Sequence, residues 1–185
     1  MRVITGLAKG VRLKTPDGLK TRPTSERVKE AVFSIVQFEV EGGRVLDLFA
    51  GTGQMGIEAL SRGASHAVFV DSWKDACRLV RENLKLARLS EKASVVQLDY
   101  LSYLDRCQET FDLIILDPPY AEVFLENALK KISEIDILSD RGIIICERPA
   151  DKELLPEIAG LQLKKDYRYG KTFISVYRRD YNEEV

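Results

Sequence analysis

From Arg44 onward the chain alternates short apolar runs with amphipathic stretches, and this alternation constrains the fold most tightly. The apolar runs are RVLDLFA (44–50), HAVFVDS (66–72), ASVVQLDY (93–100), FDLIILDPP (111–119) and GIIICERP (142–149). Helical stretches are predicted near 54–62, 73–89, 101–107 and 122–136. Several of the strands are continuously apolar, as a sheet covered on both faces requires. Alternating βα units predict an α/β fold with a mostly parallel sheet and right-handed crossovers. The end of the chain departs from this pattern. LQLKKDYR (161–168) and KTFISVYRR (171–179) flank Tyr169-Gly170 with no helix between them, which predicts a closing antiparallel hairpin.

The first 40 residues are organised differently. RVIT (2–5) and VRLK (11–14) surround GLAKG and predict a small hairpin. The turn-rich segment TPDGLKTRPTSE leads into a helix predicted over 24–38, with Thr24 or Ser25 as its cap. Val28, Ala31, Val32, Ile35 and Val36 fall on one face of that helix. Glu41-Gly42-Gly43 reads as the junction, so 1–40 is an extension and 41–185 the main domain. Although the net charge is only -1, residues 1–29 hold eight Lys/Arg against two acidic residues. A basic arm on an acidic body suits a polyanionic partner.

Some chemistries find little support. No apolar run approaches the roughly 20 residues of a membrane helix. The start, MRVITGLAKG, lacks the apolar core of a signal peptide, so a cytoplasmic location is expected. Cys77, Cys107 and Cys146 form no CxxC pair, and His66 is the single histidine. No metal site or hydrolase triad is expected from them.

The first strand of the main domain runs into Asp47-Leu48-Phe49-Ala50-Gly51-Thr52-Gly53-Gln54-Met55-Gly56. Gly51, Gly53 and Gly56 satisfy GxGxxG, a tight strand-to-helix turn that lets a nucleotide approach the backbone. Asp71 ends the second strand, where a carboxylate can accept ribose hydroxyls. Asp99 closes the third, where it can accept from an adenine amine or cap the next helix. NAD and S-adenosylmethionine both fit this pattern. Asp47 inside the turn favours the second, because it suits an ammonium and repels a pyrophosphate.

The fourth strand ends in Asp117-Pro118-Pro119-Tyr120. The two prolines fix the backbone and remove two donors, leaving carbonyls beside a carboxylate. An acceptor-only clamp of this kind fits an exocyclic amine, adenine N6 or guanine N2. Holding both N–H bonds turns the nitrogen lone pair toward an electrophile and stabilises the charge that develops. Tyr120 offers a face on which the base can stack, and a paired base must flip out to reach it.

With these motifs the chain resembles a class I S-adenosylmethionine-dependent methyltransferase acting on amines. More closely, it is similar to the bacterial small-subunit (16S) ribosomal RNA guanine-N2 methyltransferases. ITGLAKGVRLKTP, RPTSERVKEAVFSI (22–35), LDLFAGTGQMGIEALSRGA (46–64) and DPPY carry that resemblance across nearly the whole chain. It implies a Rossmann-like, seven-stranded sheet with an antiparallel last strand. It implies S-adenosylmethionine as cofactor, held by Asp47, Phe49, Ala50, Gly51, Thr52, Gly53 and Gly56, with Asp71, Ser72, Asp99 and Tyr100. The family's acidic residue after the second strand is often glutamate; here it is the shorter Asp71. Asp117, Pro118, Pro119 and Tyr120 are then the catalytic set, acting by direct in-line displacement on a flipped-out guanine. The implied partner is small-subunit ribosomal RNA within a 30S particle or assembly intermediate, bound by a monomer. Arg2, Lys9, Arg12, Lys14, Arg22 and Arg27 are expected to grip its phosphates.

Two alternatives remain at this level. A DNA or RNA adenine-N6 methyltransferase shares DPPY, but as a DNA enzyme it predicts a recognition insert that positions 54–116, already filled by strands and helices, do not hold. A non-catalytic RNA-binding assembly factor on the same fold predicts a degraded glycine turn or amine clamp, and both are intact.

Overall fold

In the computed structural model the described residues are 1–16, 26–119, 121–151 and 153–179. The strands are β1 (Arg44–Asp47), β2 (His66–Asp71), β3 (Ala93–Gln97), β4 (Phe111–Leu116), β5 (Leu138–Pro149), β6 (Glu157–Ile158), β7 (Leu161–Tyr169) and β8 (Thr172–Arg179). The helices are α1 (Glu26–Ile35), α2 (Gln37–Val40), α3 (Gln54–Ser61), α4 (Lys74–Ala87), α5 (Tyr100–Leu104) and α6 (Ala121–Glu134). They build one sheet in the order β3-β2-β1-β4-β5-β8-β7-β6. The first five strands in that row run parallel, and β8, β7 and β6 are antiparallel. All seven predicted strands are present, and the two-residue β6 adds an eighth at the edge.

The continuous apolar strands are buried on both faces, as their composition requires. Val45, Phe69, Leu113, Ile143 and Ile174 point into one core layer with residues of α1, α3 and α4. Leu46, Val68, Ile114, Ile144 and Tyr177 point into the other, against α5 and α6. Alternate residues of one strand thus serve opposite layers.

Several boundaries differ from the sequence reading; β5, for instance, begins at Leu138 rather than at 142. The helix predicted over 24–38 breaks at Val36 into α1 and α2, and its predicted caps, Thr24 and Ser25, lie outside the described residues. Val28, Val32, Val36 and Val40 are all buried. Along a straight helix that stripe would drift about 40° at every fourth residue. Tyr100, expected in a strand, opens α5 instead, because the Asp99 carboxylate accepts the Ser102 N–H at 3.1 Å and caps the helix. In the N-terminal hairpin only Arg2 and Arg12 pair as a β-bridge; the Val3, Lys9, Gly10, Val11 and Leu13 N–H groups bond within residues 1–13, while those of Ile4, Thr5, Leu7 and Ala8 are met by Glu58 and Ser61 of α3.

That docking is dense. Val28, Val32, Phe33 and Val36 bury against the first core layer, each worth roughly 1.5–3 kcal/mol. Glu58 of α3, fully buried, accepts the Ile4 N–H at 2.8 Å and the Thr5 N–H at 3.0 Å. Lys29 of α1, also buried, stands 3.3 Å from the same carboxylate and donates to the Arg2 carbonyl at 2.6 Å. Arg62 closes the group from 2.8 Å. Burial lowers the Lys29 pKa against the pull of Glu58.

Candidate functional site

The carboxyl ends of β1, β2, β3 and β4 lie at one end of the sheet, and the residues from Asp47 to Gly56 with Asp71, Ser72, Asp99, Tyr100 and Asp117 to Pro119 lie there. After Asp47 the chain makes one more ladder bond on each side, Leu48 N–H to Ile115 O at 3.1 Å and Ala50 N–H to Val70 O at 2.9 Å. It then turns sharply, with Gly53 N–H bonding the Ala50 carbonyl at 2.7 Å. Gly53 begins α3 at φ +77°, a left-handed conformation that a side chain would strain. A Cβ on Gly56 would stand 2.3 Å from the Phe69 ring, so only glycine lets α3 lie this close to β2.

Asp47 lies beneath this turn, 2% exposed, and accepts the Gly56 N–H at 3.1 Å. Burial pushes its carboxyl up to about 7; the Gly56 bond opposes the shift and the Asp71 charge adds to it. A buried carboxylate in this state gains from a cationic partner. Asp71 binds the turn itself, with Oδ2 accepting Gly51 N–H and Oδ1 accepting Trp73 N–H, both at 2.9 Å. It thereby fixes the turn, with the exposed Ser72 next in the chain. At Asp99 the cap dominates, and the Ser102 hydroxyl and N–H hold its carboxyl below the usual range.

Asp117 follows β4 directly, half-buried; Pro118 is buried and Pro119 exposed. Because β1 and β4 are neighbours, Ala50 and Asp117 each lie two residues beyond the Leu48–Ile115 bond. Adjacent strands are about 4.8 Å apart, so Asp117 stands beside the glycine turn. Tyr120 lies outside the described residues. Phe49 and Tyr100, two of the expected cofactor contacts, pack at 5.2 Å between ring centroids. Phe124 of α6 joins them at 6.3 and 5.6 Å, forming an aromatic wall that the sequence reading missed.

The basic arm is only partly gathered at this end. Lys14 reaches the glycine turn through Asn83 of α4, which is fully buried. Asn83 Oδ1 accepts the Lys14 N–H at 2.7 Å, and Nδ2 donates to the Lys14 and Thr52 carbonyls at 3.1 and 2.9 Å. Lys9 lies in the hairpin turn, whose Leu7 and Ala8 N–H groups bind Ser61 at the other end of α3. Arg2 and Lys14 form ion pairs with Glu26 and Glu82, at 3.1 and 2.7 Å. Arg12 and Arg27 are exposed, and Arg22 lies outside the described residues. Among the described residues no cluster of metal-ligating side chains occurs and no helix is long and apolar enough to cross a membrane.

This geometry has known counterparts. The family described as Conserved hypothetical protein 95 matches residues 1–178. The chain belongs to this family. YlbH of Bacillus subtilis, named as a proposed rRNA methyltransferase, is 41% identical over 97% of this chain and 99% of its own length. Ribosomal RNA small subunit methyltransferase D of Haemophilus influenzae is 34% identical over 84% of this chain and 82% of its own. Among solved structures, yhhF of Escherichia coli, named as a proposed methyltransferase, superposes with a TM-score of 0.87 at 29% identity. That match covers 97% of this chain and 98% of the other. The sheet described above is therefore a Rossmann-like methyltransferase fold, and the glycine turn and the Asp117 tip lie at the carboxyl ends of its parallel strands.

Proposed function

We propose that this protein transfers a methyl group from S-adenosylmethionine to the N2 amine of a guanine in small-subunit ribosomal RNA. One observation carries the reading: Asp117 and Pro118 directly follow β4, the strand that pairs with β1 and so neighbours the Asp47–Gly53 turn. The relatives named for rRNA methylation support the substrate class.

The residues present fit the cofactor. The buried Asp47 carboxylate suits its ammonium, Asp71 and Ser72 its ribose, and Asp99 with Tyr100 its adenine. The open face of the turn at Gly51, where a Cβ would meet nothing within 4 Å, leaves room for it. When bound, S-adenosylmethionine supplies an electrophilic methyl carbon on a sulfonium. The protein's part is orientation. The Asp117 carboxylate and the Pro118 carbonyl accept the two amine N–H bonds, free the nitrogen lone pair from the ring and stabilise positive charge on nitrogen. The basic arm holds phosphates, which sets register without reading sequence.

The test is methyl incorporation into small-subunit particles from cells lacking the gene, with modified nucleotides mapped by mass spectrometry and duplex DNA as a parallel substrate. One guanine carrying an N2 methyl is expected. A methylated adenine, incorporation into DNA alone, or no incorporation would overturn the reading.

A further inference from the structure

The β7–β8 turn lies at the same end of the sheet as the Asp117 tip. Thr172 pairs with Pro149 at the end of β5, and β5 pairs with β4. Against this turn the first turn of α1 leaves a cleft of about 260 Å³, lined by Arg27, Val28, Arg168, Tyr169 and Gly170. This lining brings two arginines from distant parts of the chain to one cleft, and among the described residues it contributes no carboxylate. Arg168 Nε donates to the Gly170 carbonyl at 3.2 Å, which holds the side chain over its own turn. Tyr169 packs partly against the first core layer, which steadies its ring, and Lys171 next to it is exposed.

The rest of the molecule makes this cleft informative. Two cations of the N-terminal arm, Arg2 and Lys14, are matched by Glu26 and Glu82, and Lys29 is buried on Glu58. Among the described residues, Arg27 and Arg168 line the same open cleft. Paired arginine forks fit phosphate oxygens better than lysines do. An aromatic face beside them fits an unpaired base. Three strand spacings, about 14 Å, separate β7 from β4. RNA that presents a flipped base at Asp117 crosses that distance within a few nucleotides.

We propose that this cleft is a second RNA contact, in which Arg27 and Arg168 clamp a backbone phosphate a few nucleotides from the target base and Tyr169 stacks on a neighbour. The proposal rests on the RNA methyltransferase reading of the main site and adds the C-terminal hairpin to its interface.

The test compares Arg168→Glu, Arg168→Lys and Arg27→Ala with the unaltered protein. Methylation rates are measured against small-subunit particle concentration, and RNA retention against salt. Arg168 is exposed, and an unchanged melting curve for Arg168→Glu is the check on folding. Arg168→Glu is expected to raise KM for the particles about tenfold, with kcat falling far less, cofactor affinity unmoved, and Arg168→Lys, which restores the charge but not the fork, recovering part of the deficit. The slope of log affinity against log salt should shrink by about 0.7 for each phosphate left without its cation. Unchanged KM and salt slope in Arg168→Glu would overturn the cleft and leave the site reading standing. Should the unaltered protein bind particles without methylating them, the site reading falls while the salt slope still decides the cleft. No binding at all overturns both.

Discussion

Asn83 and Thr52 are joined by a 2.9 Å hydrogen bond that ties the glycine turn to the N-terminal arm. The same amide grips both backbone groups of Lys14. Its oxygen faces a donor and its nitrogen faces two carbonyls, so the amide is satisfied in one orientation only. Asn83→Ala should leave these buried backbone groups without their partner, costing about 1–3 kcal/mol, and weaken cofactor binding by loosening the turn. Asn83→Asp should be worse, because it sets carboxylate oxygens against the Thr52 and Lys14 carbonyls. Denaturant midpoints and calorimetric titration check both. Wild-type cofactor affinity in Asn83→Ala would show that the turn holds its shape unaided.

Glu58 anchors the extension. Glu58→Ala strands the buried Lys29 ammonium and two backbone donors, and a broken buried pair costs about 3–5 kcal/mol. Replacing both partners, Lys29→Met with Glu58→Leu, should recover part of that cost. Chemical denaturation of the single and double variants decides it; a destabilisation below about 1 kcal/mol for Glu58→Ala would mean that the arm is held by apolar packing alone.

Asp47 should impose a pH dependence on cofactor binding. Its carboxyl is raised to about 7 in the folded protein, so the free protein carries it largely protonated below that pH. Folding stability from this group is therefore greatest below the ordinary carboxyl range and declines as pH rises from about 4 to 7. A cationic ligand favours the ionised form, so its affinity should climb by about tenfold per pH unit below 7 and level off above it. Calorimetry from about pH 5.5 to 8.5 brackets this window, and Asp47→Asn should flatten the curve. A flat curve for the unaltered protein would assign the ammonium elsewhere.

Asp117→Ala should lower kcat by about 10² to 10³ and leave cofactor affinity close to the starting value, because it removes an acceptor for the amine only. Single-turnover methylation and cofactor calorimetry separate the two effects. Loss of both with the fold intact would contradict the division of labour between β1 and β4.

Trp73, the single tryptophan, is 66% exposed and follows Asp71 and Ser72 at the rim of the site. Binding of S-adenosylmethionine or its demethylated product should change its emission saturably, with a midpoint equal to the calorimetric Kd. Constant emission during measurable binding would place the indole away from the ligand.

Much of this protein was legible in one dimension. Strand and helix alternation, the glycine turn and the Asp117-Pro118-Pro119 tip are carried by neighbours in sequence, because periodicity and backbone constraint are local properties. They sufficed to place the carboxylates at strand ends and to anticipate the antiparallel close. Glu58 gave a partial signal, the lone charge in the helix QMGIEALS, which once buried requires a partner without saying which. Packing alone supplied Lys29 for it. Only the folded chain sets Asn83 against Thr52 and Lys14, gathers Phe49, Tyr100 and Phe124, and brings Arg27 and Arg168 to one cleft. The partners of each such residue are chosen by which surfaces the sheet order forces together, and that order is settled by burial over the whole chain.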